Sequence, residues 1–289
     1  MTLKVSVVIP VYNRPELLQR AISSVSRQSF APFEILVVDD GSYPVVGSLK
    51  DFNSIHVRIL RNERNQGVSV ARNLGIREAN GDWIALLDSD DEWMEEKLQK
   101  QVHHIEKHEG LHAVHTGEKW IRNGNEVIPP AYLNKSPENL WERSLQHCLI
   151  CPSSVLLHKS IFETIGLFNE NLAVCEDYEF WLRLLLHEEM GLVPEKLVIK
   201  HGGHPDQLST TTWGMDRFRV QALINLIESN TLKEKQYVSA ISVLVRKSLI
   251  VAKGAEKREK FEEATKYFEI ARTYEARISD AAQNHHLLK

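Results

Sequence analysis

The chain has 289 residues, 43% hydrophobic and 26% charged, an ordinary balance for a soluble globular protein with a sizeable core. Its 35 basic and 39 acidic residues give a formal net charge of −4, so no global positive field attracts nucleic acid and no nucleic-acid partner is expected. Three cysteines, Cys148, Cys151 and Cys175, are too few for a zinc cluster; with no leader pattern and no apolar run near the ~18 residues of a membrane span, the sequence predicts a cytoplasmic protein.

The first predicted element is a strand over residues 5–11, a β-branched run stopped by Tyr12-Asn13-Arg14. Pro15 can open a helix as its first residue, and Leu17 or Leu18, Ala21 and Val25 then repeat at helical spacing. A second apolar strand, residues 34–38, ends in Asp39-Asp40-Gly41-Ser42, and a third is predicted at 56–60. Residues 68–79 read as a helix before the run Trp83-Ile-Ala-Leu-Leu87, which is too short and too uniformly apolar for a surface helix and reads as a strand buried on both faces.

Strands alternating with helices predict βαβ units and an α/β, mostly parallel sheet that binds ligands at the carboxyl ends of its strands. Tyr12-Asn13-Arg14, Asp39-Asp40-Gly41 and Asp88-Ser89-Asp90-Asp91 all follow such ends. Close carboxylates repel one another, and the hard oxygens at residues 88–91 suit Mn²⁺ or Mg²⁺ rather than zinc. The same acids could also cap a helix starting near Trp93, the role expected here of Asp91. No P-loop lysine motif and no GxGxxG occurs, so a diphosphate would be held through a metal.

Val7-Val-Ile-Pro-Val-Tyr-Asn-Arg14, Val37-Val-Asp-Asp-Gly-Ser42, Asn65-Gln-Gly67, Ala71-Arg-Asn-Leu-Gly75 and Leu87-Asp-Ser-Asp-Asp91, in this order, resemble the family 2 glycosyltransferases. The resemblance covers roughly residues 4–210 and implies a GT-A fold, Rossmann-like and flanked by helices, with a nucleotide-sugar donor and a divalent metal. It implies that Tyr12 packs on the nucleobase, Asp40 bonds its edge and Arg72 lies near the donor. Asp88 would contact the ribose or sugar and Asp90 the metal, with Pro10, Asn13, Asn65, Gly67 and Ser89 completing the nucleotide-sugar site.

Residues 95–108 predict a charged helix on the sheet, and 120–135 a hairpin or loop. The histidines at 103, 104, 108, 112 and 115 lack metal-ligand spacing, and Cys148 and Cys151 read as buried small hydrophobes. Residues 151–158 are strand-like, and a short helix over 161–167 stops at Gly166. Glu176-Asp177 then opens a helix and resembles the family's Glu-Asp motif, in which a carboxylate is the catalytic base. Asp177 is favoured and Glu176 stays open. His204, with His201 as the alternative, resembles the family's metal-completing histidine.

Beyond Met215 only helical patterns follow, a C-terminal helical appendix whose apolar faces could pack on the rest, pair two chains as a homodimer, or lie peripherally on the inner face of a membrane. The expected organisation is a nucleotide-sugar-binding half at 1–100, an acceptor half with the base at 101–214, and the appendix at 215–289. The function that follows is an inverting, metal-dependent transferase acting from a nucleotide diphosphate sugar, UDP favoured, to a saccharide or lipid-linked hydroxyl in cell-surface polysaccharide or glycoconjugate synthesis. The alternatives are a sugar-nucleotidyltransferase, whose Gly-rich basic loop the first strand does not supply, and a non-catalytic binding or scaffold protein.

Overall fold

Nine strands form one continuous sheet in the computed structural model, which describes residues 3–47, 55–203 and 212–286, with side chains to 278. In chain order the elements are β1 (Val5–Val11), α1 (Pro15–Ser26), β2 (Glu34–Asp39), β3 (Val57–Arg61), α2 (Val68–Glu78), β4 (Trp83–Leu86), β5 (Glu92–Trp93) and α3 (Lys97–Lys107). Then come β6 (Ala113–Arg122), β7 (Asn125–Val127), α4 (Leu140–Gln146), β8 (Leu156–His158), α5 (Ser160–Thr164), α6 (Glu176–His187) and β9 (Met190–Gly202). The last are α7 (Met215–Glu228), α8 (Glu234–Glu256) and α9 (Phe261–His286).

The strand order is β3-β2-β1-β4-β8-β6-β9-β5, with β7 paired to β6. The first four strands are parallel throughout, as suits the near-continuous apolar runs of β1, β2 and β4, with β3 at the half-exposed edge, and the remainder is mixed: β8 runs antiparallel to both β4 and β6, while β6 and β9 are parallel. The 120–135 stretch is a hairpin, β6 with β7, followed by a 3-10 turn. Residues 151–158 are only partly strand: Pro152–Ser154 form a 3-10 turn before β8 begins.

Alternation along β1 divides the core. Val5, Val7, Ile9 and Val11 face α1 and α3 on one side, whereas Val8 joins the layer of α2, α5 and α6 on the other. A third core encloses the appendix, packing Val220 and Leu223 of α7 and Ile241 and Leu244 of α8 against Tyr178 and Leu182 of α6. Because α6 gives Phe180, Trp181 and Leu184 to the sheet layer and Tyr178 and Leu182 to the appendix, it is the element both share. Much of the apolar surface of α7 and α8 is thus packed within the chain, while Ile250 and Phe261 stay exposed. No helix among the described residues is long and apolar enough to cross a membrane.

Candidate active site

The carboxyl ends of β1, β2 and β4 open on one edge. Tyr12 follows β1 and is 42% exposed, so its ring is available to a ligand. Asn13, at φ 52°, ties the neighbouring loop: its N–H donates to Ser42 Oγ at 2.9 Å and its Oδ1 accepts from the Tyr43 N–H at 2.8 Å. Pro10 is buried inside β1 opposite Val38 and forms the wall behind them.

Asp39 accepts the Ser42 N–H at 2.8 Å and pairs with Arg61; although burial works against the charge, these bonds hold its carboxyl below the usual range. Asp40 accepts from the N–H groups of Gln66 and Gly67 at 3.0 and 2.8 Å and from Asn62 Nδ2 at 2.8 Å. It thereby draws the 62–67 loop and the start of α2 against the end of β2. Asn65 Oδ1 also accepts the Gly67 N–H, at 3.0 Å. Gly41 is required where this loop closes: its φ is +78°, and a Cβ would lie 2.5 Å from the Arg64 backbone.

Arg72 connects this edge to the second half of the chain. Buried on α2, it donates to Asp88 Oδ1 and to Glu176 Oε1, each at 2.6 Å. Burial opposes its charge, but the two carboxylates outweigh that and keep the guanidinium charged. Glu176 is itself pushed up to about 7 by burial, an effect that Arg72 offsets only in part. One cation serves two acids, with Asp177 beside them.

Asp91 is not a helix cap, contrary to expectation. Helix α3 begins only at Lys97, and Asp91 is buried, its Oδ2 accepting from the Ser153 hydroxyl at 2.6 Å and its Oδ1 from the His201 N–H at 3.2 Å. Strand β5 intervenes because Glu92 and Trp93 pair with β9. Burial, then the neighbouring Asp90, raises the Asp91 carboxyl well above its ordinary range. Asp90 accepts from Arg14 Nη1 at 3.1 Å, and Ser89 is buried in the same turn. The atoms of Asp88, Asp91 and Cys151 lie within 4.8 Å of one another, a set able to hold a divalent cation. A cation there would relieve the repulsion that adds to burial in raising Asp91, and the two carboxylates suit the expected hard metal, whereas the Cys151 thiol does not; Asp90, the ligand expected from the sequence, is not part of this set. His201 contacts Glu92 Oε1 through Nε2 at 2.7 Å, and His204 lies outside the described residues.

Glu176 and Asp177 occupy the first turn of α6, whose N-cap, Cys175, sits at φ 62°. Asp177 turns from Arg72 towards a cavity of about 320 Å³ and accepts from the Cys148 thiol at 3.3 Å. Arg122, Lys200 and Arg219 also line that cavity. Cys148, Cys151, Ser153, Lys200 and Arg219 were not singled out from the sequence as site residues. Their link to the acids is spatial, through the 148–154 segment that precedes β8, through β9 and through α7, and no local pattern ties them to the acids.

Residues 6–166 match the glycosyl transferase family 2. A glycosyltransferase of Rickettsia felis is 33% identical over 195 residues, which are 67% of this chain but 32% of the relative, so the match spans about a third of that longer protein. The fold superimposes on Staphylococcus aureus TarS residues 1–349 in complex with UDP-GlcNAc, with a TM-score of 0.63 at 18% identity over 94% of this chain and 92% of the other. A Pyrobaculum calidifontis mannosyltransferase in complex with GDP-Man and Mn²⁺ gives 0.60 at 14% identity over 94% and 87%. With the expected GT-A architecture in place and more than half of the chain inside the matched segment, the protein belongs to glycosyl transferase family 2.

Proposed function

We propose that the chain transfers a sugar, with inversion, from a nucleoside diphosphate donor to a hydroxyl of a saccharide or lipid-linked acceptor. The observation that carries this reading is the Arg72 bridge, which brings the Asp88 turn and the Glu176-Asp177 turn, 88 residues apart in sequence, to one cleft. Tyr12 offers a stacking face for the base, with Asp40 behind it. Asp88 and Asp91, whose oxygens already lie together beside Cys151, would hold Mn²⁺ or Mg²⁺, with Asp90, now paired to Arg14, joining them as the ligand the family resemblance implies; the ion when bound neutralises charge on the leaving diphosphate. The UDP-GlcNAc and the GDP-Man with Mn²⁺ found in the two structural neighbours support a nucleotide-sugar donor and a metal.

Asp177 is the base. It is half-buried, faces the cavity and is free of the guanidinium that occupies Glu176. Its carboxylate takes the proton of the acceptor hydroxyl as the oxygen attacks the anomeric carbon, and attack opposite the diphosphate inverts that centre. Glu176 holds Arg72 in place and does not contact the acceptor. A thermal-shift panel of UDP-, GDP-, CMP- and dTDP-sugars with and without Mn²⁺ tests the reading, since a ligand bound only by the native state raises its melting temperature. Metal-dependent stabilisation by a nucleoside diphosphate sugar is expected; none by any donor would contradict it.

A further inference from the structure

We propose that the cavity beside Asp177 receives an acceptor bearing a phosphoryl group next to the sugar it presents, and that Arg219 of the helical appendix selects it. This rests on the transferase reading above. The cavity is lined by three cationic side chains, Arg122, Lys200 and Arg219, and one carboxylate, Asp177; behind the lining Asp216 pairs with Arg219 and Glu118 faces Lys200. A neutral saccharide gives such a wall nothing to neutralise, whereas phosphoryl oxygens match a guanidinium fork and an ammonium point charge.

Arg219 is held ready for a ligand. Its Nη1 donates to Asp216 Oδ1 at 2.9 Å, but Lys247 of α8 donates to the same oxygen at 3.1 Å, so one carboxylate answers two cations. Its Nε is buried and has no acceptor among the described residues. Lys200 faces both ways, towards Asp91 and Cys151 of the metal set as well as the cavity, but Arg122 and Arg219 belong to the Asp177 side alone. Glu176 turns to Arg72 and Asp88, while Asp177 turns the other way, to Cys148 and the cavity. Arg122 and Arg219 therefore stand beside the incoming hydroxyl. Arg219 comes from α7, which gives the appendix a role in acceptor choice.

The test compares two acceptors that differ only in the phosphoryl group, in two arms: a lipid-diphosphate-linked sugar and a phosphodiester-linked oligosaccharide, each with its neutral twin. The wild type should favour the phosphorylated twin in kcat/KM by about tenfold or more. That ratio should fall towards one in Arg219→Ala and recover in part in Arg219→Lys; the preferred arm identifies the source of the phosphoryl group. Because Arg219 also pairs with Asp216, Arg122→Ala, at the exposed rim, serves as a second variant if the first does not fold. Equal use of both twins, a uronate twin used as well as the phosphorylated one, or a ratio unchanged in both variants would overturn the proposal. So would a rise confined to the donor KM, which would assign the cations to the leaving diphosphate. A protein that transfers to neither twin contradicts the transferase reading itself; calorimetric binding of the phosphorylated twin, weakened in Arg219→Ala, then still decides the cavity's preference, and no binding overturns it.

Discussion

Glu176 and Asp177, neighbours in the first turn of α6, send their carboxylates to different partners: Glu176 lies 2.6 Å from Arg72 Nη1, and Asp177 lies 3.3 Å from the Cys148 thiol. This divergence separates a buried, structural acid from one that faces a cavity. It also makes the two distinguishable by experiment.

Glu176 titrates near 4.5 in an unfolded chain and is pushed up to about 7 in the fold by burial. Between those values the folded protein binds the extra proton, so this contribution to stability is complete below the lower one and is lost as pH rises through the higher. Melting curves of the wild type and Glu176→Gln, which mimics the protonated acid, should therefore diverge from about pH 5 to 8, the wild type losing ground. Parallel curves would refute the assignment.

Arg72→Met should destabilise the protein by about 3–5 kcal/mol, because it leaves Glu176 and Asp88 without their shared cation in a buried setting. Denaturant unfolding measures this. Arg72→Lys should restore little, since a point charge cannot reach both carboxylates as the fork does.

Ser153 holds the acidic turn from below: its hydroxyl donates to Asp91 and accepts the Asp88 N–H at 3.1 Å. Ser153→Ala should cost about 1–3 kcal/mol, as both groups lose that partner. Nucleoside diphosphate affinity in the presence of Mn²⁺ should weaken with it; calorimetry at fixed metal would show this.

His115 is fully buried, neither ring nitrogen has a partner among the described residues, and burial, with Lys135 adding, pushes its pKa down to about 3. The neutral ring is tolerated above its ordinary value of 6.5, and the stability it permits is lost as pH falls towards 3. His115→Leu should accordingly raise the melting temperature more at about pH 5 than at about pH 8. An equal change at both would mean that packing alone matters.

The parallel half of the fold was legible because β1, β2 and β4 are short, doubly buried runs that end in polar residues, as Val5–Val11 ends in Tyr12; only the edge strand β3 is half-exposed. Alternation of those strands with helices then set the edge where Tyr12, Asp40 and Asp88 meet. The mixed half was not legible in the same way. Strand β8 is three residues long, and β6 pairs with β9 across register shifts around Gly117, features set by distant partners rather than local pattern. Asp91 was mistaken for a cap because short-range acid-before-helix statistics cannot foresee a serine 62 residues away. The Arg72–Glu176 contact spans 104 residues, and Arg219 reaches its cavity only because α7 packs on α6.

Transfer from a nucleoside diphosphate sugar by wild type and Asp177→Asn, with metal and acceptor present, tests the central claim most directly. Removing a general base should lower kcat by about 10²-fold or more, with nucleoside diphosphate affinity and melting temperature retained. Undiminished transfer by a folded Asp177→Asn protein would contradict it.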